Sequence, residues 1–328
     1  MNKIVFIGII LLCGLAFGAF AASDAVKKAQ AFGARGKISL HITDTDGINV
    51  TNANVNVAFS NQRKGATILD GMSDNNGFYI AVGTSDGDLN YTVTNVGCYR
   101  TSGHYWFYLW KEECVEDGRW IPWNPVLPVT LKRIVNPIPM YARRVDIEIP
   151  EQNKPLGYDL EKADWIAPYG KGVVADFNII FTDQREGIQH FWKSLTFRAV
   201  NPLEGLIVQK MDEFSTFVSA YNAPIENYLL EYAFERKRTR TEILISKSIN
   251  DNEYFILRSR VTTNTEGVIT SARYSKIYGP IEYAAGKQKN RLRFIYYFNP
   301  TPNDRNLEFD PQQNLFGKLP SGEAVYKP

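Results

Sequence analysis

The chain has 328 residues, room for about two domains of ordinary size. Hydrophobic residues make up 44% and charged residues 22%, the balance of a globular protein. Lys plus Arg is 37 against 35 Asp plus Glu, and a net charge of +2 excludes the strongly basic field of a general nucleic-acid binder. Three His and three Cys argue against a multi-ligand His/Cys metal site, and nothing in the sequence calls for a cofactor. Eighteen Tyr and 19 Phe favour strands over helices.

The N-terminus reads as an export signal. Lys3 supplies the positive charge, Ile4 to Phe17 an apolar stretch, and Ala19-Phe20-Ala21 a small-x-small cleavage site before Ala22. Residues 1–21 are therefore expected to be removed. No later run is long enough to span a bilayer, so no transmembrane segment is expected after cleavage. The mature chain would keep two cysteines, Cys98 and Cys114, which in an exported protein suggest one disulfide.

Residues 22–35 suggest a short helix or a mobile arm. From Gly36 the texture becomes short strands divided by turns. Ile38, Leu40 and Ile42 alternate with polar neighbours, and Asp44-Thr45-Asp46-Gly47 is a turn signal. Val55, Val57 and Phe59 alternate again. Asp74-Asn75-Asn76-Gly77 turns into Phe78 to Val82, and Ser85-Asp86-Gly87-Asp88 turns into Tyr91-Thr92-Val93. Strands at this spacing predict an all-β sandwich or barrel.

This run resembles the carboxypeptidase regulatory-like domain. The resemblance rests on Gly36 opening a strand, the Asp46-Gly47 turn, Ala53-Asn54-Val55, Ser73 to Tyr79, and Tyr91-Thr92-Val93. It covers about residues 36–132 and implies a small transthyretin-like β-sandwich serving as an accessory module. The sequence departs from that pattern after Gly97, where an aromatic, cysteine-bearing segment runs to about Pro125. In some members the module accompanies a zinc peptidase, but His41, His104 and His190 are far apart and none begins an H-x-x-E pair.

Pro137, Pro139, Pro150 and Pro155 mark a boundary over residues 133–157, although Val145, Ile147 and Ile149 alternate as a strand would. The expected division is a first sandwich over 36–142, with the aromatic insertion, and a second over 143–328. The second half predicts strands at Val173–Thr182, Phe191–Val200, Tyr228–Phe234, Thr241–Ser246, Glu253–Thr262, Val268–Tyr278 and Arg291–Phe298. Asn264-Thr265-Glu266-Gly267 is a hairpin turn between two of them. Residues 299–328, rich in Pro, Asn and Asp, are expected to wrap the surface. The fold class is all-β: two sandwiches, the second larger and antiparallel.

Two constellations suggest binding. Trp106, Tyr108 and Trp110 would share one strand face, with Trp120 and Trp123 nearby, as flat rings that stack on sugars. The alternative is that these rings pack a core or a domain face. Arg258 and Arg260 alternate on one strand, and Arg291 and Arg293 on another. If those strands are neighbours, they form a stripe for anions such as sulfated or acidic polysaccharide. The alternative is an ordinary outward sheet face with acidic neighbours, Glu253, Glu266 and Glu282 among them. Arg236, Lys237, Arg238 and Arg240 cluster near a turn.

Signals for catalysis are weak. Gly83-Thr84-Ser85-Asp86-Gly87 matches a nucleophile pattern, but it joins two strands where the chemistry needs a strand and a helix. Asp44 and Asp46 lack the further ligands of a calcium loop. Asp159, Glu161 and Asp164, or Asp212 with Glu213, are carboxylates with nothing to pair them across a sugar. The expected protein is non-catalytic and exported to the periplasm, cell surface or medium. It would bind extracellular glycan or an envelope protein surface. A structural or assembly component of the envelope or a secretion system is the alternative, and a glycan hydrolase the third.

Overall fold

The computed structural model describes residues 23–107, 114–187, 190–212, 214–239, 241, 243–247, 252–285 and 290–328. The expected signal segment, Tyr108, Trp110, Glu213 and Arg240 lie outside the described residues. The chain divides into two compact units. The first takes in residues up to Thr43, Ile48–Val93 and Ser102–Val129. The second takes Asp44–Gly47, Thr94–Thr101 and Thr130–Pro328.

The first unit opens with its one described helix, α1 (Asp24–Phe32). Ser23 caps it, its hydroxyl accepting from the Val26 N–H at 3.3 Å. Nine strands follow: β1 (Ala34–Asp44), β2 (Asn54–Phe59), β3 (Thr67–Met72), β4 (Phe78–Ser85), β5 (Asp88–Thr94), β6 (Thr101–Trp106), β7 (Val115–Glu116), β8 (Arg119–Trp120) and β9 (Val126–Leu131). One sheet runs β4-β1-β8-β7, with β9 also on β1, and the other runs β3-β2-β5-β6.

The alternation read from the sequence is the alternation of burial. Ile38, Leu40 and Ile42 are buried on β1, as are Val55, Val57 and Phe59 on β2. The Phe59 ring reaches across to Gly83 of β4, where an added Cβ would lie 2.4 Å from it, so the two sheets pack face to face. The predicted turns use the expected chemistry. Asp74 accepts from the Asn76 and Phe78 N–H groups. Gly77 has φ +76, and a Cβ there would meet the Ile42 carbonyl at 2.5 Å.

The second unit holds β10 (Ile138–Glu148), β11 (Leu156–Asp159), β12 (Asp164–Trp165), β13 (Phe177–Gly187), β14 (His190–Arg198), β15 (Gly205–Lys210) and β16 (Glu231–Arg238). It continues with β17 (Ile243–Lys247), β18 (Glu253–Thr263), β19 (Ile269–Ala285), β20 (Asn290–Asn299) and β21 (Phe309–Asn314). Two six-stranded sheets result, β15-β18-β19-β20-β10-β21 and β12-β11-β13-β14-β16-β17. Phe177, Ile179, Phe181, Leu195, Phe197 and Phe234 of one meet Phe255, Leu257, Ile277, Leu292 and Phe294 of the other in a shared core. The protein is all-β, as its aromatic content predicts.

The first of these sheets is buried on both faces. Phe255 and Leu257 point into the inter-sheet core, while Tyr254 and Ile256 point into a second cluster with Tyr274, Tyr278, Tyr297, Leu307, Phe309 and Val325. That explains the near-continuous apolar run of β18. It also corrects the expectation for residues 299–328: they supply β21 and three buried apolar side chains and complete a core.

Candidate functional site

On the second sheet of the second unit, β13 pairs with β14 and β14 with β16. The register sets Gln184 opposite Trp192, and Trp192 opposite Lys237. Side chains directly opposite one another share a face. This face is the outward one, because the intervening residues Phe181, Leu195 and Phe234 fill the core. An amide, an indole and an ammonium therefore form one row across three strands. They line a hollow of about 540 Å³, inside the size range of small-molecule sites.

At the end of the β13–β14 ribbon, Glu186 and the Nδ1 of His190 form a hydrogen-bonded pair that borders the hollow. Glu235 of β16, on the Lys237 face, also lines it, as do Phe191 and Arg238, register partners that alternate to the opposite face of the ribbon. Among the described residues, no carboxylate pairs with Lys237 or Arg238. The other face of the ribbon is neutralised internally: Asp183 pairs with Arg185 at 3.0 Å and with Lys193 at 4.0 Å. Lys193 and Arg236 lie over the Phe191 ring at 5.7 and 5.8 Å. Burial pulls the Lys193 ammonium below its ordinary value, with Asp183 opposing.

The residues singled out in the sequence fare differently. Trp106 is 40% exposed at the end of β6, its ring 4.4 Å from that of His104. Trp123 is half-buried under the Arg119 guanidinium at 5.2 Å. Trp120 is fully buried. Its indole N–H donates to the Ser85 carbonyl at 2.9 Å, and its ring stacks on Phe107. Trp120 is thus a core residue of the first unit and cannot present a face to a ligand.

The expected arginine stripe does not exist. β18 and β20 are not neighbours, since β19 runs between them. Arg258 donates to the carbonyls of Leu203 (2.8 Å) and Ile225 (2.9 Å) and lies over the Tyr228 ring at 4.2 Å. Arg291 and Arg293 both bind Asp146, at 2.6 and 3.0 Å, and Arg293 also faces Glu282 at 3.7 Å. Burial alone would raise Asp146; the two arginines hold it below the usual carboxylate value. Arg260 has φ +51 at a register break between Ser259 and Thr262. It turns to the side opposite Arg258 and stacks on Phe298 of the inter-sheet core at 4.7 Å.

There Arg260 gathers the carboxylates that an acid/base pair would have needed. It donates to Asp176 (2.9 Å), Glu161 (2.7 Å) and Asp159 (3.0 Å). Asp159 also accepts from the Val173 and Val174 N–H groups, and Asp164 accepts from those of Trp165 and Lys171. Asp212 pairs with Lys132 at 3.4 Å. Ser85 is a turn residue: its hydroxyl donates to the Asp88 carbonyl and accepts from the Gly87 N–H. Asp44 accepts from the Asp46 N–H and pairs with Arg133 at 2.6 Å.

The expected disulfide is not formed; Cys98 and Cys114 are free thiols. Cys98 belongs to the second unit, bridged to Arg133, whereas Cys114 is buried in the first. A spacing of 16 residues does not bring two cysteines together when the chain between them passes from one unit to another. Burial pushes both thiols above their ordinary value, with Arg133 opposing at Cys98.

Sequence reasoning missed Gln184, Glu186, His190, Phe191 and Trp192, although it flagged Lys237 and Arg238 within a basic cluster. The available signal was the alternation in β14. Leu195 and Phe197 mark the core register, which leaves Trp192 in the polar register with Ser194 and Thr196. A tryptophan in the outward register of a half-solvated strand is the unusual feature.

No family model matches the chain, and no curated protein matches it. Among solved structures it is similar to catechol 1,2-dioxygenase of Acinetobacter radioresistens, at 17% identity and a TM-score of 0.24 over 35% of this chain. The match spans 56% of the dioxygenase. It is also similar to the shaft pilin of Lactobacillus rhamnosus GG, at 10% identity and a TM-score of 0.22, covering 83% of this chain and 94% of the pilin. A third is described as a putative carbohydrate binding protein from Bacteroides uniformis, at 9% identity and a TM-score of 0.17, covering 82% and 98%. Among the described residues, no helix is long and apolar enough to cross a membrane.

Proposed function

We propose that the chain is an exported, non-catalytic binding protein of the cell envelope or surface, and that it recognises saccharide through the hollow of its second unit. The observation that carries this reading is the row Gln184–Trp192–Lys237 on an outward sheet face. A half-exposed indole offers a flat apolar plate, an amide offers a donor and an acceptor, and the ammonium offers three donors. That combination meets a sugar, which has apolar C–H faces and hydroxyl edges.

The signal-like segment from Lys3 to Ala21 supports export. A non-catalytic role is supported by the commitment of Asp159 and Glu161 to Arg260, and of Ser85 to its turn. In this reading the first unit is a carboxypeptidase regulatory-like accessory module. The test is a glycan array probed with the whole chain, with Trp192→Ala and with Trp106→Ala. The expected result is a set of bound glycans lost in Trp192→Ala and retained in Trp106→Ala. Binding that survives Trp192→Ala, or no binding by the whole chain, would overturn the reading.

A further inference from the structure

We infer that the saccharide taken by this hollow is uncharged: two neighbouring hydroxyls sit between the Glu235 carboxylate and the Lys237 ammonium, while Trp192 stacks on the ring that bears them. The inference rests on the saccharide reading above and adds the ligand's charge class and the edge by which it is held. It starts from the signs of the charges around the indole. The register places Lys237 directly opposite Trp192, and Glu235 opposite Ser194 in the next row. Glu235 and Lys237 are two residues apart on β16, so both stand on the Trp192 face, Lys237 across from the indole and Glu235 on its diagonal. Glu186, bonded to His190, and Arg238 also line the hollow, so its charged lining is two carboxylates against two cations.

A hydroxyl both donates and accepts, whereas a carboxylate only accepts and an ammonium only donates. One of each, side by side on a strand, therefore matches a hydroxylated edge: one hydroxyl donates to Glu235 and its neighbour accepts from Lys237. Hydrogen bonds to ionised groups are stronger than those between neutral ones. Gln184, across the indole on β13, adds an amide donor and acceptor at the other side of the ring. A uronate or sulfate seated on the same indole is drawn to Lys237 but brings a like charge to Glu235, and an amino sugar meets the reverse conflict at Lys237. An uncharged pyranose meets neither. With no net charge on the lining and none on the ligand, binding is also insensitive to salt.

The experiment is a glycan array probed with the whole chain, followed by isothermal titration of the tightest binder at low and at physiological salt. The array carries uncharged cello-, xylo- and manno-oligosaccharides, an acidic galacturonic acid oligomer and heparin oligosaccharide, and a basic chitosan oligomer. The variants are Lys237→Met, Glu235→Lys and Trp192→Ala, each checked by thermal unfolding. The expected result is that the tightest binder is uncharged and that its affinity changes less than about twofold with salt. Lys237→Met should weaken it at least tenfold, and Glu235→Lys should turn the preference to the galacturonic acid oligomer. If Glu235→Lys does not fold, Lys237→Met and the salt dependence still decide. An acidic or basic saccharide bound more tightly than every uncharged one, and weakened by salt, overturns the uncharged inference and leaves the saccharide reading standing. Uncharged binding that Lys237→Met leaves intact overturns the hydroxyl contact. Absence of binding by every saccharide, or binding unaltered in Trp192→Ala, overturns the saccharide reading itself.

Discussion

Arg260 and Asp176 form the central polar contact of the second unit: Nε donates to Oδ1 at 2.9 Å and Nη2 to Oδ2 at 3.0 Å, with Asp176 only 2% exposed. Burial pushes the Asp176 carboxyl up, and Arg260 opposes that shift. Breaking one half of such a pair strands a buried charge. Arg260→Met is expected to cost about 3–5 kcal/mol of stability, read as a lower urea midpoint with an unchanged slope. A loss below about 1 kcal/mol, the scale of a surface pair, would show that water reaches the cluster.

The two tryptophans of the first unit should separate cleanly. Trp120 is fully buried and donates its indole N–H to Ser85, so Trp120→Ala is expected to lose about 3–5 kcal/mol. Trp106 is partly exposed, and Trp106→Ala should stay within about 0.5 kcal/mol of the parent. Urea unfolding of the two variants checks both. Equal losses would mean that Trp106 is packed as a core residue.

Much of this fold was legible because short-range chemistry settled it. Ile38, Leu40 and Ile42 alternate and are buried, and Asn264 accepts from the Glu266 and Val268 N–H groups in the predicted hairpin. What was not legible depends on events longer than one strand. The break at Ser259–Thr262 reverses the face of Arg260, which no period-2 count anticipates. The pairing of β18 and β20 with β19 rather than with each other separates arginines that looked like one stripe. The hollow required the register of three strands, one of them distant in sequence from the other two, before Gln184, Trp192 and Lys237 could be seen as a row.

Lys276 gives a pH signature. Its ammonium position is fully buried among Phe217, Tyr278 and Tyr297, bonded to the Ser219 and Tyr278 hydroxyls at 3.1 and 2.7 Å. Burial drives it well below the ordinary lysine value, with Glu308 opposing. An unfolded lysine titrates near about 10.4, so between the depressed native value and that point the unfolded chain holds a proton the native chain lacks. Stability attributable to Lys276 therefore rises with pH across this window, by up to about 1.4 kcal/mol per unit. Buried Tyr278 and Tyr297 act oppositely above about pH 10, because their native values are raised. Urea midpoints from pH 7.5 to 9.5 should rise in the parent relative to Lys276→Met. Parallel profiles would contradict a buried neutral amine.

Cys98 and Cys114 should both react with iodoacetamide after denaturation without reductant, each adding one label by mass. In the native state Cys114, fully buried and with its thiol pushed up, should label more slowly than Cys98. A mass two hydrogens short and no label at either position would contradict the free thiols.

The surface that meets a ligand decides between the hollow and the aromatic segment. Amide hydrogen exchange of the whole chain, with and without the glycan that the array identifies, tests this most directly. The structure predicts slowed exchange confined to Thr182–Gly187, His190–Ser194 and Glu235–Arg238. Protection instead over Cys98–Pro125 of the aromatic segment, with none on β13, β14 or β16, would contradict it.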